Sequence, residues 1–147
     1  MKIKSVLAGL FLAIIICLCS CGGNSKSESN VSSGSETTIQ KLKSNAESMN
    51  LTCPQQQANG IVLESVVFED NIFQYNYLVQ GETFYMSADD PKAKEQIKNA
   101  YRADATSKPF VNALIETNSK MIFHYRTNGG KTMDIVLTPN ELSSIFE

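Results

Sequence analysis

A chain of 147 residues, 42% of them hydrophobic, is long enough to bury one core and too short to bury two. Its 13 Lys and Arg are set against 15 Asp and Glu, for a net charge of −2. With the charges scattered and no basic stripe, a nucleic-acid partner is excluded.

The first twenty residues read differently from all that follow. "MKIK" supplies a positive start, residues 6–19 form an apolar run, and small residues close it, which is the three-part layout of a secretory signal. The run is shorter than the ~20 residues a membrane-spanning helix needs. Within it, Leu18-Cys19-Ser20-Cys21 followed by Gly22 resembles the lipobox of bacterial lipoprotein precursors. That resemblance implies diacylglycerol on Cys21, cleavage in front of it by signal peptidase II, palmitate on the mature amino terminus, and loss of Cys17 and Cys19 with the signal. A metal cluster of Cys17, Cys19 and Cys21 lacks both a fourth ligand and the paired spacing of zinc sites. Cys53 is then the one cysteine of the mature chain, and it cannot close a disulfide within it.

Residues 22–36, "GGNSKSESNVSSGSE", hold one valine among Ser, Gly, Asn and charge. Such a segment cannot bury enough apolar surface to offset its ordering entropy, so it is expected to be a tether. The chain thus divides into a signal (residues 1–20), a tether (21–37) and one globular domain (38–147).

Ile39, Leu42, Ala46 and Met49 share one side of a helix expected from about Thr38 to Met49, and Asn50 suits its exit. "LTCPQQQANG" reads as a loop. "IVLESVVFE" and "IFQYNYLVQ", broken by Asp70-Asn71, read as a hairpin. Its second strand carries Phe73, Tyr75 and Tyr77 on one face, and that stripe is expected to pack under helices. Left uncovered, it would be a stacking platform for sugar or peptide and a possible binding surface.

"TFYM" after Gly81 is a further short strand or the exit of the preceding one. Asp89 or Asp90 can cap a helix with Pro91 in its first turn. Ala93, Ile97, Ala100 and Tyr101 give that helix its apolar stripe, while Lys92, Lys94, Glu95 and Lys98 face water. Ser107 is placed to cap a shorter helix, with Phe110, Ala113 and Leu114 on one side and an end near Asn118. "KMIFHYR" and "TMDIVLT" around Asn128-Gly129 form a second hairpin. Thr138-Pro139-Asn140-Glu141 makes a capping box for a last helix that docks through Leu142, Ile145 and Phe146. The expected fold is α+β: a mainly antiparallel sheet of about four strands, in two hairpins, with helices on one face.

Candidate chemistry is sparse. A thiol nucleophile needs a histidine, and the mature chain has one of each, Cys53 and His124. Cys53 precedes proline rather than opening a helix that would lower its pKa, and His124 alternates with Phe123 and Tyr125, so it points away from the core. One histidine and one cysteine cannot supply a zinc site; no phosphate loop or calcium loop is present, and no cofactor is expected.

The layout resembles the small single-domain lipoproteins of Gram-negative bacteria, a resemblance that carries over Cys21 and no other residue. It implies a domain held to a membrane, the outer membrane first, with its body in the periplasm or on the surface. The expected function is a non-enzymatic accessory or binding module that contacts an envelope protein, peptide or glycan. An inhibitor or immunity-like protein that blocks a partner enzyme is the alternative, and a Cys-dependent hydrolase using Cys53 and His124 the third.

Overall fold

The computed structural model describes residues 34–81 and 91–147. The signal, Cys21, the tether up to residue 33, "TFYM", Asp89 and Asp90 lie outside the described residues.

Among the described residues, four helices and five strands follow in the order α1 (Gly34–Asn50), β1 (Gln55–Gln56), β2 (Ile61–Glu69), β3 (Ile72–Val79), α2 (Pro91–Ala103), α3 (Lys108–Glu116), β4 (Lys120–Thr127), β5 (Thr132–Leu137) and α4 (Pro139–Ser143). The class is α+β, as expected. The sheet, however, has five strands in the order β1-β2-β3-β4-β5, because Gln55 and Gln56, in a segment that reads as loop, pair with Leu63 and Val62. The first helix also begins at Gly34 rather than Thr38.

The β2–β3 and β4–β5 hairpins are antiparallel, but β3 and β4 run parallel, from Ile72 opposite Lys120 to Val79 opposite Thr127. The chain between them passes through α2 and α3, the crossover a parallel pair requires. Asp70 and Asn71 both sit at positive φ, 50° and 58°, the signature of a two-residue I′ turn whose twist matches its strands. At the other hairpin the turn falls on Asn128-Gly129 as expected, but it is not of the primed type. Thr127 N–H donates to Lys131 O at 2.9 Å and Gly130 N–H to Thr127 O at 3.0 Å, and it is Gly130 that takes positive φ (80°). This is a three-residue loop ending in a left-handed glycine, so the residue after Asn-Gly meets the conformational demand.

The core lies on one face of the sheet. Its rows run across the strands: Phe73, Met121 and Leu137; then Tyr75, Phe123 and Ile135; then Leu63, Tyr77, Tyr125 and Met133. All are buried, as are Leu42 and Ala46 of α1, Ala93, Ile97 and Tyr101 of α2, Val111 and Leu114 of α3, and Leu142 and Ile145 at α4. The ring of Phe110 meets Phe73 edge-on at 4.8 Å, while Tyr75 stacks on Phe123 at 5.1 Å. Each fully buried aromatic or Leu stabilises by about 1.5–3 kcal/mol relative to exposure, so this layer sets the fold.

Helix ends follow local chemistry with one exception. Thr138 Oγ1 accepts from the backbone N–H of Glu141 at 3.3 Å, and Glu141 Oε2 accepts from the Thr138 N–H at 2.9 Å, completing the capping box. α3 closes on Asn118 at positive φ, with Ser119 N–H donating to Leu114 O at 2.8 Å and Asn118 N–H to Ile115 O at 3.0 Å, a Schellman arrangement. Ser107, expected as a cap, makes no side-chain cap bond. Its buried hydroxyl donates to Tyr101 O at 2.7 Å, and Asp104 caps the preceding 3-10 turn through the Thr106 N–H.

The lysines of α2 do more than face water. Lys94 Nζ pairs with Glu141 Oε1 at 2.8 Å, Lys98 Nζ donates to Ser144 Oγ at 3.1 Å, and Arg102 Nε donates to Ile145 O at 2.7 Å. Cations thus meet the carboxylate at the start of α4 and the carbonyls past its end, where positive charge is favourable.

Candidate functional site

The structure does not bring Cys53 and His124 together. Cys53 is half-buried against the core, its Sγ donating to Met49 O at 3.5 Å. Burial pushes its thiol pKa up, the opposite of what activates a nucleophile. His124 projects from the other face of β4, where Nδ1 meets Asp134 Oδ1 at 2.5 Å. The sheet stands between the two groups, so these two side chains do not meet. Among the described residues, no three His, Cys, Asp or Glu side chains converge as metal ligands.

The aromatic stripe does not form an exposed platform. Phe73, Tyr75 and Tyr77 retain 0%, 2% and 7% of their accessible surface, because the one apolar face of the sheet is also the face that carries the helices. Tyr75 and Tyr101 share a buried hydrogen bond, hydroxyl to hydroxyl at 3.2 Å. Burial raises the Tyr75 phenol to about 12 despite that bond, and raises the phenols of Tyr77, Tyr101 and Tyr125 as well.

Among the described residues no helix covers the opposite sheet face, which is built of polar side chains held across strands. Arg126 Nε and Nη2 donate to Glu64 Oε2 and Oε1 at 2.8 and 2.6 Å, a bidentate pair spanning three strands. Glu64 reaches it from a bulge between Leu63 and Ser65. Gln74 donates to Asn76, and Asn76 to Ser65 Oγ at 2.9 Å, so Ser65, Asn76, His124 and Asp134 form one polar row. Ile122 and Val136 are half-buried beside it and Val67 is 42% exposed. Alternation in "FQYNY" and "FHYRT" announces that these residues face outward. The Glu64–Arg126 pairing is 62 residues apart in sequence, and no local signal marks it.

No protein-family model matches the chain, and no curated protein matches it in sequence. In three dimensions it is similar to EpsS, the pilotin of the Vibrio vulnificus type 2 secretion system, with a TM-score of 0.55 and 11% identity over 74% of this chain and 94% of that one. It is similar also to AspS, the type II secretion pilotin of Vibrio cholerae, with a TM-score of 0.51 and 7% identity over 73% and 94%. Its fold is shared with secretion-system pilotins. A Pseudomonas aeruginosa protein described as secreted has the same fold, with a TM-score of 0.59 and 9% identity over 77% and 99%. At these identities the likeness is one of fold, and no residue role passes with it.

Proposed function

We propose that the chain is a lipid-anchored accessory protein of the cell envelope that works by holding a protein partner. The observation that carries this reading is the fold shared with two secretion pilotins over 94% of each of their chains. The sequence adds support: a lipobox ending at Cys21 would tie the domain to a membrane, the outer membrane first, through a tether of Ser, Gly and Asn. The arrangement of the described side chains adds more. The thiol is held protonated on one side of the sheet and the histidine is paired on the other, which fits a binding role better than a hydrolytic one.

The anchor and the partner are tested separately. Metabolic labelling with a palmitate analogue is expected to mark the wild-type chain and to vanish in Cys21→Ala; labelling that survives the substitution overturns the anchor. Crosslinking of the full-length chain in its native envelope is expected to trap one protein reproducibly. A chain that stays uncrosslinked while a known envelope complex is captured in the same sample refutes the partner.

A further inference from the structure

The sheet face without helices is less polar than its hydrogen-bonded row suggests. By strand register its side chains stand in four rows across β2, β3 and β4: Glu69, Ile72 and Lys120; Val67, Gln74 and Ile122; Ser65, Asn76 and His124; Val62, Leu78 and Arg126. β5 adds Val136, Asp134 and Thr132 to the last three. Val67 is exposed, and Val62, Ile72, Leu78, Ile122 and Val136 are only half-buried. Aliphatic side chains on a face with this much open surface point to a covering partner of mixed chemistry, since a non-obligate interface is about as polar as ordinary surface.

The rows are self-complementary about β3. A two-fold axis laid along β3 in the plane of contact exchanges β2 with the β4 of a second copy. It sets Glu69 against Lys120, Val67 against Ile122 and Ser65 against His124, each twice, while Ile72, Gln74, Asn76 and Leu78 meet their own copies. Glu69 and Lys120 are both exposed, and neither side chain has a partner among the described residues. At the far end the Glu64–Arg126 pair would lie antiparallel to its copy, so that each carboxylate faces a second guanidinium. No like charges oppose one another in these rows.

The same axis suits the amino termini. α1 starts beside Glu116, to which Thr38 donates at 3.3 Å, at the sheet end where Lys120 N–H meets Asn71 O. A two-fold parallel to the strands keeps these ends together, so residues 21–33 of both copies lead toward one side, where one membrane can hold both. An axis across the strands would send them to opposite ends. Four strands of eight residues present roughly 500 Å² of face per copy, or about 1,000 Å² in all, which is the low end for a specific interface and fits a dimer that dissociates on dilution.

We propose that this sheet face is the interface of a homodimer, two sheets packed face to face at about 30° with the helices outside and reciprocal Glu69–Lys120 ion pairs at one end. This goes beyond the reading of the chain as an accessory protein; only the placement of the amino termini rests on its anchor.

The test is sedimentation equilibrium of the full-length chain at about 100 μM in density-matched detergent, where the wild type is expected as two copies. Lys120→Glu and Glu69→Lys each set like charges face to face twice and are expected to weaken association about tenfold or more. An equimolar mixture of the two variants is expected to recover the wild-type mass, because both contacts of the mixed dimer are again opposite in sign; pairing within one chain cannot produce that recovery. Both exposed substitutions should melt within about 2 °C of wild type in dilute solution. Should either melt lower, Val67→Asp decides instead, since it buries a charge against Ile122 of the second copy and is expected to leave one copy. A wild-type chain of one copy overturns the dimer. Charge variants that remain two copies, a mixture that stays at one, or a paired Val67→Asp overturn this face as its interface. The accessory role stands in every one of these outcomes and is decided by the envelope crosslinking described above.

Discussion

Glu141 offers the sharpest quantitative test of how α2 and α4 are joined. Burial pulls its carboxyl pKa upward, but hydrogen bonds from Lys94 and from the Thr138 backbone and hydroxyl, with the charge of Lys94, outweigh that and hold it at about 2 against an ordinary 4.5. At about 1.36 kcal/mol per pH unit this depression corresponds to ~3 kcal/mol of folding free energy. Glu141 keeps 30% of its side chain exposed and Lys94 33%, so screening by water cuts the contribution to roughly 1.5 kcal/mol. Glu141→Gln retains an acceptor for the capping box and removes the charge. At pH 7 it is expected to cost roughly 1.5 kcal/mol, or about 6 °C in melting temperature for a domain of this size. A carboxyl whose pKa is lower folded than unfolded stabilises above the unfolded value and loses that contribution as pH falls toward the folded one. The gap between wild type and variant in urea denaturation should therefore hold above pH ~5, shrink through 4.5 and nearly close by ~2. A gap that stays constant from pH 7 to 2.5, or widens as pH falls, refutes the charge-based account of this joint.

Three further outcomes follow from the packing and the loop geometry. Gly130→Ala should cost about 1 kcal/mol, since the only obstacle is its φ of 80° and nothing lies within 4 Å of the added Cβ, whereas Gly129→Ala should cost less than about 0.5; equal costs in urea titrations would argue for a primed turn with positive φ at Gly129 as well. Phe123→Ala removes a ring that is 1% exposed and stacked on Tyr75 and should cost about 3–5 kcal/mol, against under ~0.5 for Val67→Ala on the bare face; a loss below ~1 kcal/mol at Phe123 would mean that this face is not the core. With its thiol pKa raised by burial, Cys53 should react with an aromatic disulfide reagent at pH 7 more slowly than free cysteine, and a faster rate would restore it as a candidate nucleophile.

How far the fold could be read from the sequence depended on the range of the interaction. The I′ turn at Asp70-Asn71, the capping box at Thr138 and Glu141, and the apolar stripes of β3 and β4 are written in residues a few positions apart, and they appear where those residues place them. The parallel pairing of β3 with β4 was invisible, because it is set by the path of α2 and α3 and by packing across some fifty residues. The Gln55–Gln56 strand was missed for a related reason: two glutamines have no β signature, and only the exposed edge of Val62 and Leu63 recruits them. On the β2 edge beyond that strand, Asn50 Oδ1 accepts from the Val66 N–H at 3.1 Å. The residue read as a helix exit thus also blunts an open edge. Ser107 shows the reverse error, in which a residue type suited to capping was claimed by a nearby carbonyl of Tyr101.

The parallel join also explains why the aromatic stripe could not be judged from β3 alone. Taken singly, Phe73, Tyr75 and Tyr77 fit either a platform or a core face. Set in register beside Met121, Phe123 and Tyr125, they make a continuous apolar surface across two adjacent strands, extended on β5 by Met133, Ile135 and Leu137. The other face offers Gln74, Asn76, His124, Arg126 and Asp134, which cannot take four amphipathic helices. Burial of the first face is therefore forced by the pairing. At Tyr77 and Tyr125 the same pairing stacks two rings at 5.0 Å, so the non-local contact that hid the fold from the sequence also builds its aromatic core.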